Sequence, residues 1–526
     1  MGGSGGIGEV GGNGFDSSWT QTSSSPTTIW VSDAPGNGGN SGAGGAGGVA
    51  DVSYQALTFL LGAAQQGSNR VQLSGSATGG RGYWSSYAGN GGRSENWSGT
   101  WFTANSSGTW SDTYTQQAAP GGLAGNGGRG GNGGMASVRF SGLAVAGDNL
   151  DVQLNAQALG GTGSFGGAGG RGGNGLVGQP GGAGGRGGDG GMALAEVRDL
   201  AVETTGGTLA LAITLTARGQ WGGGGGSGGG GGSARSINSH IVGESGTSVD
   251  ITTYAAPGPG GAGGSGGAAT AMLLNSVVRG NQGGDQVNVN LRAQGGAGGT
   301  GAAGPAAEAS SSSSWINNGV AHTHTTNRAP AGLPGRDGLT GMVNLVCSGN
   351  TFELGEGDDL LTLSLLAPGP LRKLSVANNV FDGGLGWDTL VLGNGSVGEE
   401  AVVIDVANQR LSFGAGGSGS NTLRGFEVFT ATGGNDRIID GAGDHDYRGG
   451  AGKDQYTFTA GLAGKDVIRD FSKDDRLVFA GFGFRSVGQV MSTFTFTTEG
   501  AWMNARGESL LLAGVSRFPA NQISLA

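Results

Sequence analysis

The sequence predicts an all-β molecule, a parallel β-solenoid or β-roll with glycine-rich, polyglycine II-like insertions packed on one side. Three observations carry that expectation. Glycine recurs with a period of three in several runs. A unit of two alternating apolar segments repeats between those runs. The C-terminal third carries short motifs in which glycines lead to an aspartate and then to an apolar residue.

The glycine runs come first in the chain. Residues 166–175 read GGAGGRGGNG and residues 181–190 read GGAGGRGGDG, with related runs at 36–48, 121–134, 222–232, 258–267 and 295–301. Glycine is 123 of 526 residues, several times its usual share of about 7%. A flexible linker needs glycine but no period. A three-residue period is the turn of an extended left-handed helix of the polyproline II type, which has no internal hydrogen bonds. Such segments order only by bonding to neighbours, and glycine lets backbones approach closely. A side chain at Gly170 or Gly185 would then intrude where two backbones meet, whereas Arg171 and Arg186 should point outward. Disordered loops remain the alternative, because ordering glycine costs the most entropy. Collagen is excluded: the pattern is Gly-Gly-X, with only 12 prolines.

Between the runs a unit recurs from Met135, Met192, Ala271 and Gly341, with a divergent copy from Val49. In it Leu209, Leu211, Ile213 and Leu215, or Val287, Val289 and Leu291, alternate with polar or small residues, the period of a half-buried strand. A unit with one apolar face cannot bury that face alone, whereas stacked copies can. Stacking would bring the glycine runs together on one side. An antiparallel sandwich, with each unit a hairpin, fits the same alternation. Two insertions are rich in Ser, Thr and aromatics: Tyr83–Tyr114, with Trp84, Trp97, Trp101 and Trp110, and Ser310–Asn327, with Trp315, His322 and His324. They either cover their own glycine segments or meet a partner. With no nearby Cys or acidic partner, His322 and His324 read as exposed loop. The expected organisation is an N-terminal segment 1–35 for assembly contacts, a glycine-rich repeat region 36–340, a metal-binding roll 341–480 and a terminal cap 481–526.

Composition narrows the function. The formal net charge is −10, of which residues 331–526 carry −7. No basic stripe exists to attract nucleic acid, and the acidic end points to divalent cations. The single cysteine, Cys347, rules out an intrachain disulfide and reads as core. No run approaches 18 apolar residues, so no membrane insertion is expected. The opening MGGSGGIGEVGG lacks the basic and apolar parts of a secretory signal. The four histidines, at 240, 322, 324 and 445, are scattered and no HExxH occurs, so the expectation is no enzyme.

The most specific chemistry follows residue 350. Gly383-Gly384-Leu385-Gly386-Trp387-Asp388-Thr389-Leu390 and Gly449-Gly450-Ala451-Gly452-Lys453-Asp454-Gln455-Tyr456 fit the nonapeptide GGxGxDxUx. Gly355-Glu356-Gly357-Asp358-Asp359-Leu360-Leu361 fits all but the first Gly, and Thr432–Ile438 is a degenerate copy with Asp436 in the aspartate position. His445 stands midway between Asp436 and Asp454, where another aspartate would fall. Between Leu390 and Thr432 the pattern lapses. Glycines permit the tight turn and bare its carbonyls, while the aspartate offers a hard oxygen to calcium, which takes six to eight. The apolar residue points into the core. The candidate metal residues are Gly355, Gly357, Asp359, Gly384, Gly386, Asp388, Asp436, Gly450, Gly452 and Asp454. Negative charge crowds at Asp358, Asp388, Asp436 and Asp454.

With the flank Gly464-Lys465-Asp466-Val467-Ile468-Arg469-Asp470-Phe471-Ser472, followed by Asp474, Asp475 and Leu477, this region resembles the RTX proteins over about residues 350–526. The resemblance implies bound Ca2+, a parallel β-roll, folding outside the cell and export through a type I secretion channel by an uncleaved C-terminal signal. With few intact nonapeptides, two to four calcium sites are expected. The functional expectation is a secreted calcium-binding structural protein, located extracellularly or at the cell surface. It would self-assemble as a homopolymer into a filament, matrix fibre or surface layer. The alternative is an adhesin for surface polysaccharide or an ice-binding protein, since flat polyglycine bundles resemble insect antifreeze architecture. RTX tails also occur on epimerases and proteases, but no catalytic constellation accompanies this one.

Overall fold

The computed structural model describes residues 42–61, 68–85, 88, 99–105, 108–114, 123–172, 180–242, 245–307, 309–317, 320–368, 372–393, 401–414 and 418–526. The expected assembly segment 1–35 and Trp97 lie outside them. The described chain is nearly all β, with large parallel-rich sheets. Among the described residues no helix is long and apolar enough to cross a membrane.

The two apolar segments of each unit do not pair with one another, as a hairpin would. Each pairs in parallel with its equivalent in the next unit. The first segments, Ala50–Gln55, Ala136–Ser141, Ala193–Arg198, Ala269–Leu274, Val343–Ser348 and Arg372–Ala377, follow one another in a six-stranded parallel sheet. The second segments begin a longer parallel stack: Asn69–Thr78, Ala144–Leu159, Ala201–Arg218, Gln286–Gln294, Leu360–Leu366 and Thr389–Leu392. The stack runs on through Val428–Thr430, Asp446–Arg448, Lys465–Ile468 and Glu508–Ala513. Alternate residues point inward, so Leu209, Leu211, Ile213 and Leu215 are buried, as are Val287, Val289 and Leu291. Cys347 is buried too, and burial pushes its thiol up to about 12. At the corner between segments, Gly142, Asp199, Asn275, Gly349 and Asn378 all have positive φ, a conformation that Gly, Asn and Asp tolerate best.

Two shorter parallel ladders complete the framework. One runs through Val277–Arg279, Thr351–Glu353, Val380–Asp382 and Thr422–Arg424. The other runs through Val402–Asp405, Arg437–Ile439, Gln455–Thr459, Arg476–Ala480 and Ile523–Leu525. Where the nonapeptide pattern lapses, Val402–Asp405, Arg410–Phe413 and Ser418–Arg424 pair antiparallel instead.

The glycine runs form two adjoining layers. Runs 42–49, 123–135, 180–192, 255–268 and 332–342 lead into the six-stranded sheet; runs 79–85, 160–172, 219–232 and 295–307 leave the long stack. Bonds recur every third residue. Gly127, Gly130 and Gly133 donate to the carbonyls of Ala183, Arg186 and Asp189, and Gly184, Gly187 and Gly190 to those of Pro259, Ala262 and Ser265. Other bonds cross between layers: Gly185 donates to Gly167, Gly226 to Gly185 and Gly261 to Gly226. The period has a direct cause. With contacts that repeat every three residues, each run presents three faces. Two faces meet neighbouring backbones, where a Cβ at Gly185 would collide with the carbonyl of Gly128. The third faces water, so Leu123, Asn126, Arg129, Asn132 and Met135 are exposed while Gly125, Gly128, Gly131 and Gly134 are buried. Gly170 is bonded to Gly125 and Gly182, and Arg171 and Arg186 are exposed as expected.

Candidate metal centre

Acidic side chains gather where strands begin. Extending the register of the long stack backward by one residue places Asp285, Asp359, Asp388, Glu427 and His445 in one column, with Asp466 next. Each carboxylate accepts a backbone N–H from the rung before it. Leu209 donates to Asp285 Oδ1 (2.7 Å), Asp285 to Asp359 Oδ1 (2.6 Å) and Asp359 to Asp388 Oδ1 (2.8 Å). Asp388 donates to Glu427 Oε2 (2.8 Å) and His445 to Asp466 Oδ1 (2.9 Å). A second column does the same: Val402 donates to Asp436 Oδ1, Asp436 to Asp454 Oδ1 and Asp454 to Asp475 Oδ1, at 2.7, 2.8 and 2.9 Å.

The other oxygen distinguishes these residues. Oδ2 of Asp285, Asp359, Asp388 and Asp454 is buried without a hydrogen-bond partner. Burial therefore pushes these carboxyls up, to about 7 at Asp388 and Asp454 and about 6 at Asp285. The neighbouring carboxylates add to the rise against the opposing backbone N–H groups. Asp436 is also raised by burial, but Thr432 bonds both its oxygens through the side-chain hydroxyl.

The motif glycines shape the turns beside these oxygens. Gly355, Gly357, Gly384, Gly386, Gly450 and Gly452 have φ of 104°, 131°, 105°, 145°, 94° and 133°, strained for any L side chain. They also stack. A Cβ at Gly384 or Gly386 would strike the carbonyl of Gly355 or Gly357, and one at Gly450 or Gly452 the carbonyl of Thr432 or Gly434. A Cβ at Gly383 or Gly449 would meet the unpartnered Oδ2 of Asp388 or Asp454, so these hard oxygens lie buried against the heads of the motif turns. They fit a cation of the calcium type and leave a buried negative charge costly without one.

The sequence-predicted residues thus fall into two groups: Asp359 and Asp388 in the long column, Asp436 and Asp454 in the other. Asp358 is exposed and accepts the N–H of Trp387, so of the adjacent pair only Asp359 belongs to the buried column. Sequence reasoning missed Asp285, Glu427 and Asp475. Asp285 carried a readable signal, because Gly283-Gly284-Asp285-Gln286-Val287 repeats the Gly-x-Asp-x-apolar core of the motif. His322 and His324 are not loop residues. They lie in the strand Val320–Asn327, where His324 Nδ1 stands 3.1 Å from Asp250 Oδ2 and His322 stacks on Trp315. The acidic partner comes from a strand more than seventy residues earlier in the chain, which sequence spacing could not reveal.

A third column needs no cation. Ser276 donates to Asn350 Oδ1, Asn350 to Asn379 Oδ1 and Asn379 to Asn421 Oδ1, at 2.9, 3.0 and 3.1 Å. Their Nδ2 groups donate to the carbonyls of Leu273, Cys347 and Val376. Comparison with known proteins finds no family model that matches this chain and no curated protein that matches it.

Proposed function

We propose that this chain is a secreted, calcium-binding structural protein of the RTX type. In this reading the parallel stacks are a β-solenoid that passes into a β-roll, and the glycine layers are polyglycine II segments packed on one side of it. The observation that carries the reading is the columns of buried aspartates. Each gives one oxygen to the neighbouring rung, and four keep the other unpartnered beside stacked glycine turns. Calcium supplies the missing partner. Export through a type I channel by the C-terminal segment follows from the RTX resemblance, and deleting residues 480–526 should trap the protein inside cells.

Self-assembly into a filament, fibre or layer is the function this architecture suits best. The outward positions of the glycine layer that leads into the six-stranded sheet carry Leu123, Met135, Met192, Leu333, Leu339 and Met342, all exposed. Apolar surface repeated along one face marks an interaction surface. Light scattering and negative-stain microscopy with and without calcium test this. Calcium-dependent extended particles are expected, and a persistent monomer overturns it. A second reading, a module that binds surface polysaccharide, is favoured by the other glycine layer. There Trp84 meets Phe165 edge-on at 6.5 Å and Trp221 is exposed. Such aromatic faces stack on sugars.

A further inference from the structure

The long column contains one residue that calcium does not want. His445 occupies an aspartate position of the nonapeptide register, between Glu427 and Asp466. We propose that His445, Asp440 and Asp466 form a separate site for a first-row divalent transition ion of the zinc type. The site is independent of the calcium reading, because no residue in it is one of the predicted nonapeptide ligands.

Geometry and burial support the assignment. His445 Nδ1 lies 3.2 Å from Asp440 Oδ1 and 3.4 Å from Asp466 Oδ1. The three ligand atoms lie within 4.8 Å of one another. Tetrahedral zinc with bonds of about 2.0–2.2 Å to nitrogen and oxygen sets its ligands about 3.3–3.6 Å apart. The side chains of His445, Asp440 and Asp466 are 5%, 1% and 0% exposed. Nδ1 of His445, Oδ2 of Asp440 and Asp466, and both carboxylate oxygens of Glu508 make no hydrogen bond. An imidazolium paired with two carboxylates would explain the contacts, and a protonated Glu508 would bond Asp466, but Oδ2 of Asp440 would still lack a partner. A bound ion takes the ring nitrogen and an oxygen of each of the two aspartates.

The surroundings are those of a metal site. Tyr447 donates its hydroxyl to Asp440 Oδ1 at 2.6 Å, and the His445 backbone N–H holds Asp466 Oδ1 at 2.9 Å. Such outer contacts fix the orientation of ligating carboxylates. The rings of Phe429 and Tyr447 flank the imidazole at 6.1 and 5.7 Å, an apolar wall that excludes water. Glu508 is buried beside Asp466. Calcium takes oxygen ligands, whereas imidazole with carboxylates suits zinc and its neighbours. Replacing aspartate by histidine in one rung therefore changes which ion that rung accepts.

The test uses the full chain, stripped with a chelator, returned to excess calcium and titrated with zinc. About one equivalent of zinc should stay bound through gel filtration against calcium, with an X-ray absorption spectrum that contains a nitrogen neighbour at about 2.0–2.1 Å. His445→Asp and Asp466→Asn should each weaken zinc binding at least tenfold, while the His322→Ala/His324→Ala double variant should bind as the parent does. Failure to retain zinc overturns the proposal. So does a zinc spectrum without nitrogen, or equal retention by His445→Asp. The absorption spectrum of the parent decides the matter even if both site variants misfold.

Discussion

The asparagine column and the aspartate columns do the same work at the starts of neighbouring strands, yet only one of them is complete. In both, a side-chain oxygen accepts the backbone N–H of the rung before it. Asn350, Asn379 and Asn421 then use their amide donors on backbone carbonyls, so every polar atom is matched. Asp285, Asp359, Asp388 and Asp454 have no donor to offer and leave Oδ2 buried and unmatched. An amide rung is neutral and self-sufficient; a carboxylate rung requires a proton or a cation. The difference separates a framework whose polar atoms are matched from one whose carboxylate oxygens are not.

The sharpest way to break this comparison is to add a chelator. Chelation should unfold the aspartate-bearing region from about residue 350 onward and leave the glycine layers and their sheets folded. Hydrogen exchange with and without chelator should show protection lost in Gln455–Thr459 and Arg476–Ala480 and retained in Ala144–Leu159. Equal protection throughout would show that the carboxylate rungs need no cation.

The glycine layers, joined chiefly by backbone-to-backbone bonds, offer the next largest effect. Gly185→Val forces a side chain against the carbonyl of Gly128, and overpacking of this kind costs about 1–3 kcal/mol or more. Arg186→Ala removes only an exposed contact to Asp189 and should cost about 0–1 kcal/mol. Thermal melting of the two variants in calcium reads the contrast, and equal losses would contradict the bonded layers.

Much of this was legible in the sequence. The all-β class came from alternation in segments such as Leu209–Leu215, and the period of three in the glycine runs reflects one solvent face and two backbone faces. The motif aspartates were found because glycine and aspartate recur at fixed offsets. The asparagine column was invisible. Asn350, Asn379 and Asn421 are separated by 29 and 42 residues, and only the insertion lengths between rungs bring them into line. Asp440 and Glu508 were missed for the same reason: register, not local pattern, carries them to His445.

Exchanging the two kinds of rung sharpens the comparison. Asp388→Asn gives the aspartate column an amide that can still hold the N–H of Asp359. It should raise the stability of the metal-free protein by about 1 kcal/mol or more, because an unpaired buried carboxylate is lost, while weakening the response to calcium. Asn379→Asp is the mirror change. It leaves the carbonyl of Cys347 without its donor and buries a charge, and should destabilise by about 1–3 kcal/mol with or without calcium. Chemical denaturation of both variants in chelator and in calcium reads the four combinations. If both substitutions shift stability the same way without metal, the two columns are not the opposites described above.

The last expected effect is that of pH, and its sign should depend on the metal. Asp388 and Asp454 have folded values raised to about 7 by burial, from 3.8. Between about pH 4 and 7 the folded state therefore holds protons that the unfolded chain has released. Stability falls with rising pH wherever the folded state binds more protons. The metal-free protein should thus be most stable near the acid end of this window and lose stability as pH rises to 7. His445 extends the trend: burial opposes its charged form, but Asp440 and Asp466 outweigh it and hold the value at about 9, so its contribution is lost as pH rises from about 6.5 through 9. Calcium reverses the dependence at the aspartates, since it binds the ionised form and protons compete with it. Melting temperatures from pH 5 to 8 should fall in chelator and rise in calcium. A fall in both conditions would mean that the carboxylate columns do not hold the ion.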